Sequence, residues 1–246
     1  FRFLYPLKSV FITFHGYEGI MPIPKKILFV RRVAEFLTKG NICIGDFIPR
    51  WYNTKANFVL YGGVDEPLHN DNIKPKNSAV FIGRLEKDTG IMTYISAIKI
   101  LRRKYNINLE VDICGNGSLR EEIGRIAKKN ELNIRLHGFV ESPIDYLIKD
   151  RFAFVSSYLS ILEAMVNKKL IFSVYDNELK KDYLTLIPNS GNMIVIASSS
   201  EELAQKIVYY YKNPEKAEDK INNAYNFAKK QTWWKVADTY LKLWKK

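Results

Sequence analysis

Three short segments of the chain place glycines, cations and polar side chains where an apolar run gives way to a helical pattern. The first, residues 83–90, reads Gly-Arg-Leu-Glu-Lys-Asp-Thr-Gly. Gly83 lets the backbone approach a ligand closely, and the start of the following helix offers unpaired N–H groups to an anion. Arg84 and Lys87 add two positive charges, which suit a diphosphate. The alternative is a tight turn with solvated charges.

The second segment is a glycine pair, Gly115 and Gly117, that flanks Asn116 and again follows an apolar run. Its backbone can supply hydrogen-bond donors to a ligand at the start of the next helix. A Gly-x-Gly pattern alone is a weak signal, so a plain turn remains the stronger alternative for this segment.

The third segment begins where an apolar run ends in small polar residues. Ser157 or Ser160 would cap the helix that follows, with its first N–H groups at the same edge of the sheet. Glu163 lies about one turn inside that helix, and its carboxylate can accept two hydrogen bonds from a vicinal diol such as a ribose. A structural acid near a helix N-terminus is the alternative.

Open parallel sheets bind ligands at the carboxyl ends of their strands, so three such turns on one edge support one another. Together they offer cations, backbone donors and a diol-binding acid, a set that matches a nucleoside diphosphate. The sequence contains no Asp-x-Asp pair for a divalent metal. We therefore expect protein cations to neutralise the phosphates, without a metal or a separate cofactor.

The elements that must position these turns follow from the apolar pattern. Between residues 78 and 200, short apolar runs alternate with helical spacing, which predicts a parallel sheet with helices on both faces. Strands are expected at 78–83, 109–114, 134–137, 152–156, 170–174 and 193–197. Helices are expected at 90–105, 118–130, 143–148 and 161–167, and three more should end the chain from about Ser199, Pro214 and Thr232.

The first seventy residues show the same alternation over a shorter length. Strands are expected at 10–16, 41–45 and 58–61, with a helix at 27–36. These elements are too few for a complete doubly wound domain. The polar residues 67–77 are expected to form a linker.

The composition is that of a globular chain, with 246 residues, 47% of them hydrophobic, and a net charge of +12. This charge favours phosphate-bearing partners, namely nucleic acid, an anionic membrane or phosphorylated small molecules. The basic residues are spread in short pairs rather than in one arm, so nucleic-acid binding is not expected. Cys43 and Cys114 lie in apolar runs and are expected to be buried thiols, which fits the cytoplasm.

The last expected helix carries an apolar stripe, which needs a surface to cover. We expect this stripe to pack on the chain's own core, with membrane contact through tryptophans and flanking lysines as the alternative. Its residues are Trp233, Val236, Tyr240 and Leu243.

Four segments resemble the nucleotide-binding half of the family 4 retaining glycosyltransferases, which have the GT-B fold. They are Phe81-Ile-Gly-Arg-Leu, Val111-Asp-Ile-Cys-Gly-Asn-Gly, Leu136-His-Gly-Phe-Val and Leu162-Glu-Ala-Met. The likeness extends more loosely to Phe14-His-Gly and Tyr61-Gly-Gly-Val-Asp. The resemblance implies a GT-B α/β fold, with a doubly wound, Rossmann-like domain, a truncated second α/β domain and C-terminal helices.

The same resemblance implies a division of the chain into four parts. A partial acceptor-side domain would occupy residues 1–66, followed by a hinge at 67–77. The nucleotide-sugar-binding domain would span 78–228. A last helix within 229–246 would cross back to the first domain.

The resemblance also implies roles for individual side chains. Arg84 would bind the donor's diphosphate, Glu163 would hold the ribose hydroxyls, and His15 would face the donor sugar. The family's usual lysine falls at Thr89 here, so Lys87 is expected to replace it.

One part of the family's pattern is missing. The first glutamate of its Glu-x7-Glu motif would fall at Val155, inside a strand. The loop is shortened, and four residues are expected to take its place at the donor: Ser157, Tyr158, Leu159 and Ser160.

The function implied is transfer of a hexose from a nucleoside diphosphate sugar to a hydroxyl of a glycan or lipid, with retention of configuration. The expected location is the cytoplasm, with contact to an anionic membrane face as a further expectation. Two alternatives remain open: a non-catalytic nucleotide-sugar-binding domain, and another GT-B enzyme such as a sugar-nucleotide epimerase.

Overall fold

The computed structural model describes residues 7–17, 21–65 and 76–245, and these residues build two parallel sheets. The smaller sheet has the order β1-β2-β3. Its elements in chain order are β1 (Phe11–Phe14), α1 (Lys25–Phe36), β2 (Gly40–Ile44), α2 (Phe47–Tyr52) and β3 (Phe58–Leu60).

The larger sheet has six parallel strands in the order β6-β5-β4-β7-β8-β9. Successive strands run outward from β4 on one side, and β7 then returns to the other side of β4. The order in which strands are added to the sheet therefore reverses between β4 and β7. An open sheet leaves a crevice at its carboxyl edge at such a point. The strands are β4 (Lys76–Ile82), β5 (Val111–Cys114), β6 (Ile134–Gly138), β7 (Asp150–Phe154), β8 (Leu170–Val174) and β9 (Ile194–Ala197).

Helices cover both faces of the larger sheet. Alternate residues of its central strands enter different hydrophobic clusters, since successive side chains of a strand point to opposite faces. Phe81 and Phe154 belong to one cluster, and Val80 and Ala153 to the other. The helices are α3 (Ile91–Tyr105), α4 (Arg120–Lys129), α5 (Ile144–Lys149), α6 (Tyr158–Val166), α7 (Glu178–Thr185), α8 (Ser200–Lys212), α9 (Glu218–Ala228) and α10 (Trp233–Trp244).

The six strands expected between residues 78 and 200 are all present. Cys43 and Cys114 are buried free thiols, as expected. The expected start of α6 is wrong by three residues, because Ser157 caps the helix and the turn begins at Tyr158. Lys76 and Asn77, assigned to the linker, instead begin β4, and residues 67–75 of that linker lie outside the described residues.

Two helices were not expected from the sequence, namely α2 and α7. Asn177 caps α7 and accepts the Lys180 backbone N–H at 2.8 Å. The apolar residues of α7 fall at Leu179, Tyr183 and Leu184, the spacing of a buried helical face. The sequence therefore carried a signal for α7 that the strand-by-strand interpretation passed over.

Five aromatic side chains join the two sheets: Tyr17, Phe47, Tyr61, Tyr158 and Tyr183, called here the inter-sheet aromatic cluster. The Tyr158 and Tyr183 rings stack at 4.0 Å between centroids, and Phe47 lies 5.1 Å from Tyr183. Beside the cluster, Asp182 of α7 accepts the indole N–H of Trp51 at 2.8 Å and pairs with Arg50 at 3.1 Å. Helix α7 is thereby fixed to α2 of the smaller sheet.

Helix α10 packs against the smaller sheet. Leu243 is fully buried in a cluster with Ile42 and Leu60, and Val236 and Tyr240 lie at the edge of this cluster. Trp233 of the expected stripe is half exposed instead, because its ring lies over the backbone of Gly63 at the margin of the contact.

Candidate functional site

A cavity of about 330 Å³, the central cleft, opens at the carboxyl ends of β4 and β7. The turn after β4 contributes Gly83 and Arg84, and the turn after β7 contributes Ser157. Gly16 closes the cleft from the end of β1. The central cleft thus lies at the strand-order reversal, between the two sheets.

A second cavity of about 280 Å³, the outer cleft, lies on the β5 side of the same edge. Gly115 and Asn116 form its wall, and Phe139 beside it is 87% exposed. Arg84 lines both clefts, as Ile82 and Gly83 do, so the turn after β4 forms the boundary between them. An extended ligand that occupied both cavities would pass this turn.

The two glycine turns are bonded to each other along their backbones. The Gly83 N–H donates to the Cys114 carbonyl at 3.2 Å, and the Leu85 N–H donates to the Asn116 carbonyl at 2.9 Å. A Cβ at Gly115 would overlap the Gly83 carbonyl oxygen, and one at Gly117 would meet the Leu85 carbonyl oxygen at 2.5 Å. Only glycine permits this approach, so the second turn supports the first as well as lining the outer cleft.

Glu86 adds a side-chain link between these turns. Its carboxylate accepts the Ser118 N–H at 2.8 Å and the Ser118 hydroxyl at 2.6 Å. These bonds favour the ionised form and hold the pKa of Glu86 below its ordinary value. The loop that carries Arg84 is therefore held at several points.

Arg84 is exposed, and its guanidinium pairs with Asp88 one helical turn later, at 2.7 Å. Exposed pairs of this kind contribute little net free energy, since water competes for both charges. A diphosphate in either cleft could therefore take the guanidinium at small cost.

The start of α6 differs from the expectation. Ser157 lines the central cleft, but Tyr158 is buried in the inter-sheet aromatic cluster, where its hydroxyl donates to the Tyr183 carbonyl at 2.8 Å. The Tyr158 side chain, expected at the donor, lines neither cleft, because α7 packs directly on this end of α6. Ser160 is buried against Ser157, and Leu159 is exposed but lines neither cleft.

Glu163 lies half-buried on α6, and it lines neither cleft. Burial raises the pKa of its carboxyl, and the nearby carboxylate of Asp65 raises it further. Both influences disfavour the charged form, so a ligand that donates hydrogen bonds would stabilise this carboxylate.

Two other expected residues lie away from the cavities. Lys87 is exposed on the short turn Lys87–Thr89, and His15 is exposed after β1; neither lines a cleft. The residues next to His15, namely Gly16 and Tyr17, do line the central cleft. The placement therefore favours the backbone of this turn over the His15 ring.

The sequence interpretation missed Lys180 and Tyr183, both from the unexpected helix α7 and both on the central cleft. The Lys180 ammonium donates to the Ser156 carbonyl at 2.7 Å and lies 4.5 Å from the centre of the Tyr183 ring. Burial lowers the pKa of Lys180 to about 8. With its pKa at this value, the Lys180 side chain is still mostly charged at neutral pH.

The family model described as Glycosyl transferases group 1 matches residues 65–227, more than half of the chain. The chain belongs to this family. Among curated proteins, this group 1 glycosyl transferase is similar to the capsular polysaccharide biosynthesis glycosyltransferase CapH of Staphylococcus aureus. The two are 29% identical over 129 residues, which cover 50% of this chain and 33% of CapH.

A second curated relative, from Campylobacter jejuni, is named GalNAc-alpha-(1->4)-GalNAc-alpha-(1->3)-diNAcBac-PP-undecaprenol alpha-1,4-N-acetyl-D-galactosaminyltransferase. It is 24% identical over 186 residues, covering 73% of this chain and 51% of the relative. The chain thus spans between one third and about half of the length of these two curated relatives.

Solved structures show the fold. Anabaena Alr3699/HepE in complex with UDP superposes with a TM-score of 0.80 at 14% identity, covering 98% of this chain and 74% of that one. A TarM variant of S. aureus, in a complex that includes UDP, gives 0.76 at 17% identity, covering 97% of this chain and 51% of that one. The expected GT-B α/β fold of this group 1 glycosyl transferase is confirmed.

No group of three His, Cys, Asp or Glu side chains within 7–17, 21–65 and 76–245 could hold a metal ion. In the same ranges, no helix has both the length and the hydropathy needed to cross a membrane.

The close approach of the two glycine turns gives a test of the site's framework. We predict that Gly115→Ala lowers the free energy of unfolding by at least about 2 kcal/mol, because the new methyl group must push the Gly83 carbonyl away. Gly191→Ala is the matched control, since a Cβ there meets no atom within 4 Å; it should stay within about 0.5 kcal/mol. Urea unfolding measures both, and equal stability of the two variants would contradict the prediction.

Proposed function

We propose that this group 1 glycosyl transferase binds a nucleoside diphosphate sugar across its two clefts and transfers the hexose to a hydroxyl of a glycan or lipid acceptor. One observation carries the proposal: Arg84 stands between an outer cleft with an exposed aromatic ring and a central cleft at the strand-order reversal. The guanidinium suits a diphosphate, and the cavities on either side suit the two groups that a diphosphate joins.

The outer cleft suits the nucleobase. Phe139 offers an exposed ring face, Val140 and Pro143 add apolar surface, and the Gly115-Asn116 backbone offers polar groups. We assign the ribose hydroxyls to Glu163, whose half-buried carboxylate gains from hydrogen-bond donors. The sugar then points into the central cleft, towards Gly16 and Tyr17.

Departure of the diphosphate is the step that the cations assist. Negative charge grows on the phosphate oxygens as the sugar bond breaks, and a fixed guanidinium at Arg84 stabilises that charge more in the transition state than in the ground state. We propose retention of configuration: the acceptor hydroxyl attacks on the face that the diphosphate leaves, the departing phosphate oxygen takes up the hydroxyl proton, and no protein nucleophile takes part. We also propose that the reaction proceeds without a metal and that the turn which carries His15 approaches the donor sugar through the backbone of Gly16.

Names of similar structures support UDP as the first donor nucleotide to test. Anabaena Alr3699/HepE is described in complex with UDP and glucose, and the pneumococcal GtfA in complex with UDP and GlcNAc. Both likenesses lie at or below 15% identity and carry the fold alone. Binding measurements with UDP, GDP, ADP and their sugar conjugates therefore identify the base and the sugar of the donor.

A non-catalytic nucleotide-sugar-binding domain is the second candidate, favoured by the valine at 155, where the family's pattern has a glutamate. Donor binding without hydrolysis or transfer would select it. Turnover of the donor sugar without any acceptor would instead indicate an epimerase.

Contact with an anionic membrane face is part of the proposal for a lipid acceptor. Trp234 is 75% exposed on α10, and Trp244 and Lys242 are exposed on the same helix. Tryptophan and lysine side chains suit the interface of a bilayer, and the net charge of +12 adds attraction. Flotation with phosphatidylglycerol vesicles at low salt tests this membrane contact. If the protein does not bind the vesicles, the membrane contact is excluded from the proposal.

We predict that Arg84→Ala weakens nucleoside diphosphate binding about 10- to 100-fold, because charged hydrogen bonds to the phosphates are lost. Thermal shift against ligand concentration measures the loss, since stabilisation follows the ratio of concentration to dissociation constant. Arg125→Ala is the control, an exposed arginine on α4 outside both clefts. Wild-type affinity of Arg84→Ala would remove the proposed donor site.

We predict that Glu163→Gln reduces the preference for a ribonucleotide over its 2′-deoxy analogue, because a neutral amide is a weaker acceptor for the diol. The affinity for UDP should fall about tenfold, while that for 2′-deoxy-UDP, which keeps only the 3′-hydroxyl contact, should fall less. Glu121→Gln, an exposed acid on α4, is the control. A variant that keeps the wild-type preference would show that Glu163 has no ribose contact.

A further inference from the structure

Lys180 has an unusual position for a lysine. It is 6% exposed, yet it lines the central cleft together with Arg84. Its ammonium has three N–H donors, and the Ser156 carbonyl is one acceptor for them. Burying an ammonium costs free energy unless opposite charge or hydrogen bonds compensate, so the remaining donors call for an explanation.

The charges that face Lys180 do not supply a direct partner. Asp88, from the turn after β4, and Asp176, from the loop before α7, both favour its charged form from a distance. In the described part of the chain, no carboxylate lies within ion-pair distance of its ammonium, and Asp88 already pairs with Arg84. The rings of Tyr17 and Tyr183 lie 5.7 Å and 4.5 Å away, and burial raises the pKa of both phenols.

The start of α6 offers few free backbone N–H groups, so a phosphate in the central cleft would need a side-chain cation. The Tyr158 N–H, the first of the helix, donates to the Tyr183 hydroxyl at 2.8 Å. The Ser160 N–H is directed to the Ser157 hydroxyl oxygen. Two of the backbone donors that a helix N-terminus would offer to a phosphate are therefore already used.

The two cations also divide the site between them. Arg84 follows β4 and lines both clefts, whereas Lys180 rests on the turn after β7 and lines the central cleft alone. With the base in the outer cleft, the phosphate nearer the base lies by Arg84, and the phosphate nearer the sugar lies deeper, towards Lys180.

We propose that Lys180 is the second donor-binding cation of this protein and contacts the sugar-bearing phosphate of the nucleoside diphosphate sugar. This assignment rests on the proposed function. It replaces Lys87 as the partner of Arg84, since Lys87 is exposed and lines neither cleft.

A consequence concerns pH. Burial lowers the pKa of Lys180 to about 8, so part of the free protein carries a neutral amine above neutral pH. A bound phosphate raises that pKa again, because it favours the ammonium. Binding then takes up about half a proton at pH 8, and the affinity falls about tenfold between pH 7 and pH 9.

The test uses the 246-residue chain and titration calorimetry with UDP and UMP, or with GDP and GMP if the guanine nucleotide binds. Measurements at pH 8 in two buffers of different ionisation enthalpy give the proton uptake of the wild type. The variants are Lys180→Met, Lys180→Arg and the control Lys181→Met. Lys181 is partly exposed on the same helix and pairs with Glu178. Thermal unfolding of each variant verifies that it is folded.

We expect Lys180→Met to lose at least about tenfold in affinity for the diphosphate and little for the monophosphate, because only the distal phosphate loses its partner. Lys180→Arg should keep most of the affinity without proton uptake at pH 8, and Lys181→Met should match the wild type. The wild-type proton uptake requires no variant to fold.

Three results would overturn the assignment. If the diphosphate binds the wild type without proton uptake and Lys180→Met binds it equally well, Lys180 does not touch phosphate. If Lys180→Met weakens diphosphate and monophosphate alike, the lysine only supports the fold of the turn after β7. If no nucleotide binds the wild type, the proposed function fails, and this assignment fails with it.

Discussion

The contact between Tyr158 and Tyr183 is the interaction on which the rest of the site depends. The rings stack at 4.0 Å, the Tyr183 hydroxyl accepts the Tyr158 N–H, and the Tyr158 hydroxyl donates to the Tyr183 carbonyl. Two reciprocal hydrogen bonds and a buried stack leave α7 little freedom to slide along α6. This contact fixes the position of Lys180 in the central cleft, since Lys180 lies one turn before Tyr183.

The same contact changes how negative charge can be stabilised at this edge of the sheet. A helix start at the end of a β-strand usually offers its free N–H groups to an anion. Here Tyr183 occupies the first of them, and the cleft is lined by an exposed guanidinium and a buried ammonium instead. A cation in a partly buried cleft acts on negative charge more strongly than the same group in water, so these two side chains replace helix N–H groups as the positive groups at this edge.

The sequence was sufficient for features that depend on local patterns. Apolar runs predicted the six strands of the larger sheet, and glycine after a strand predicted the turns at Gly83 and Gly115, whose close packing explains the residue type. The sequence was insufficient to predict the direction of the Tyr158 side chain. Tyr158 directly follows Ser157, which lines the central cleft, but its ring packs in the inter-sheet aromatic cluster. That direction is set by Tyr183, 25 residues later, and by Phe47 from the other sheet. No local pattern encodes such a contact. Helix α7 had a local signal, but the place of Lys180 in the central cleft depends on this same long-range packing.

The smaller sheet influences the cleft through α7. Asp182 holds Trp51 and Arg50 of α2, and the neighbouring Tyr183 packs on Phe47 at the start of the same helix. Lys180 lies on α7, two residues before Asp182. A shift of α2 would therefore move α7 and displace the Lys180 ammonium relative to Arg84, which follows β4 of the larger sheet. The spacing of the two cations is therefore set by the contact between the sheets, whereas the position of Arg84 is set by the glycine turns within one sheet.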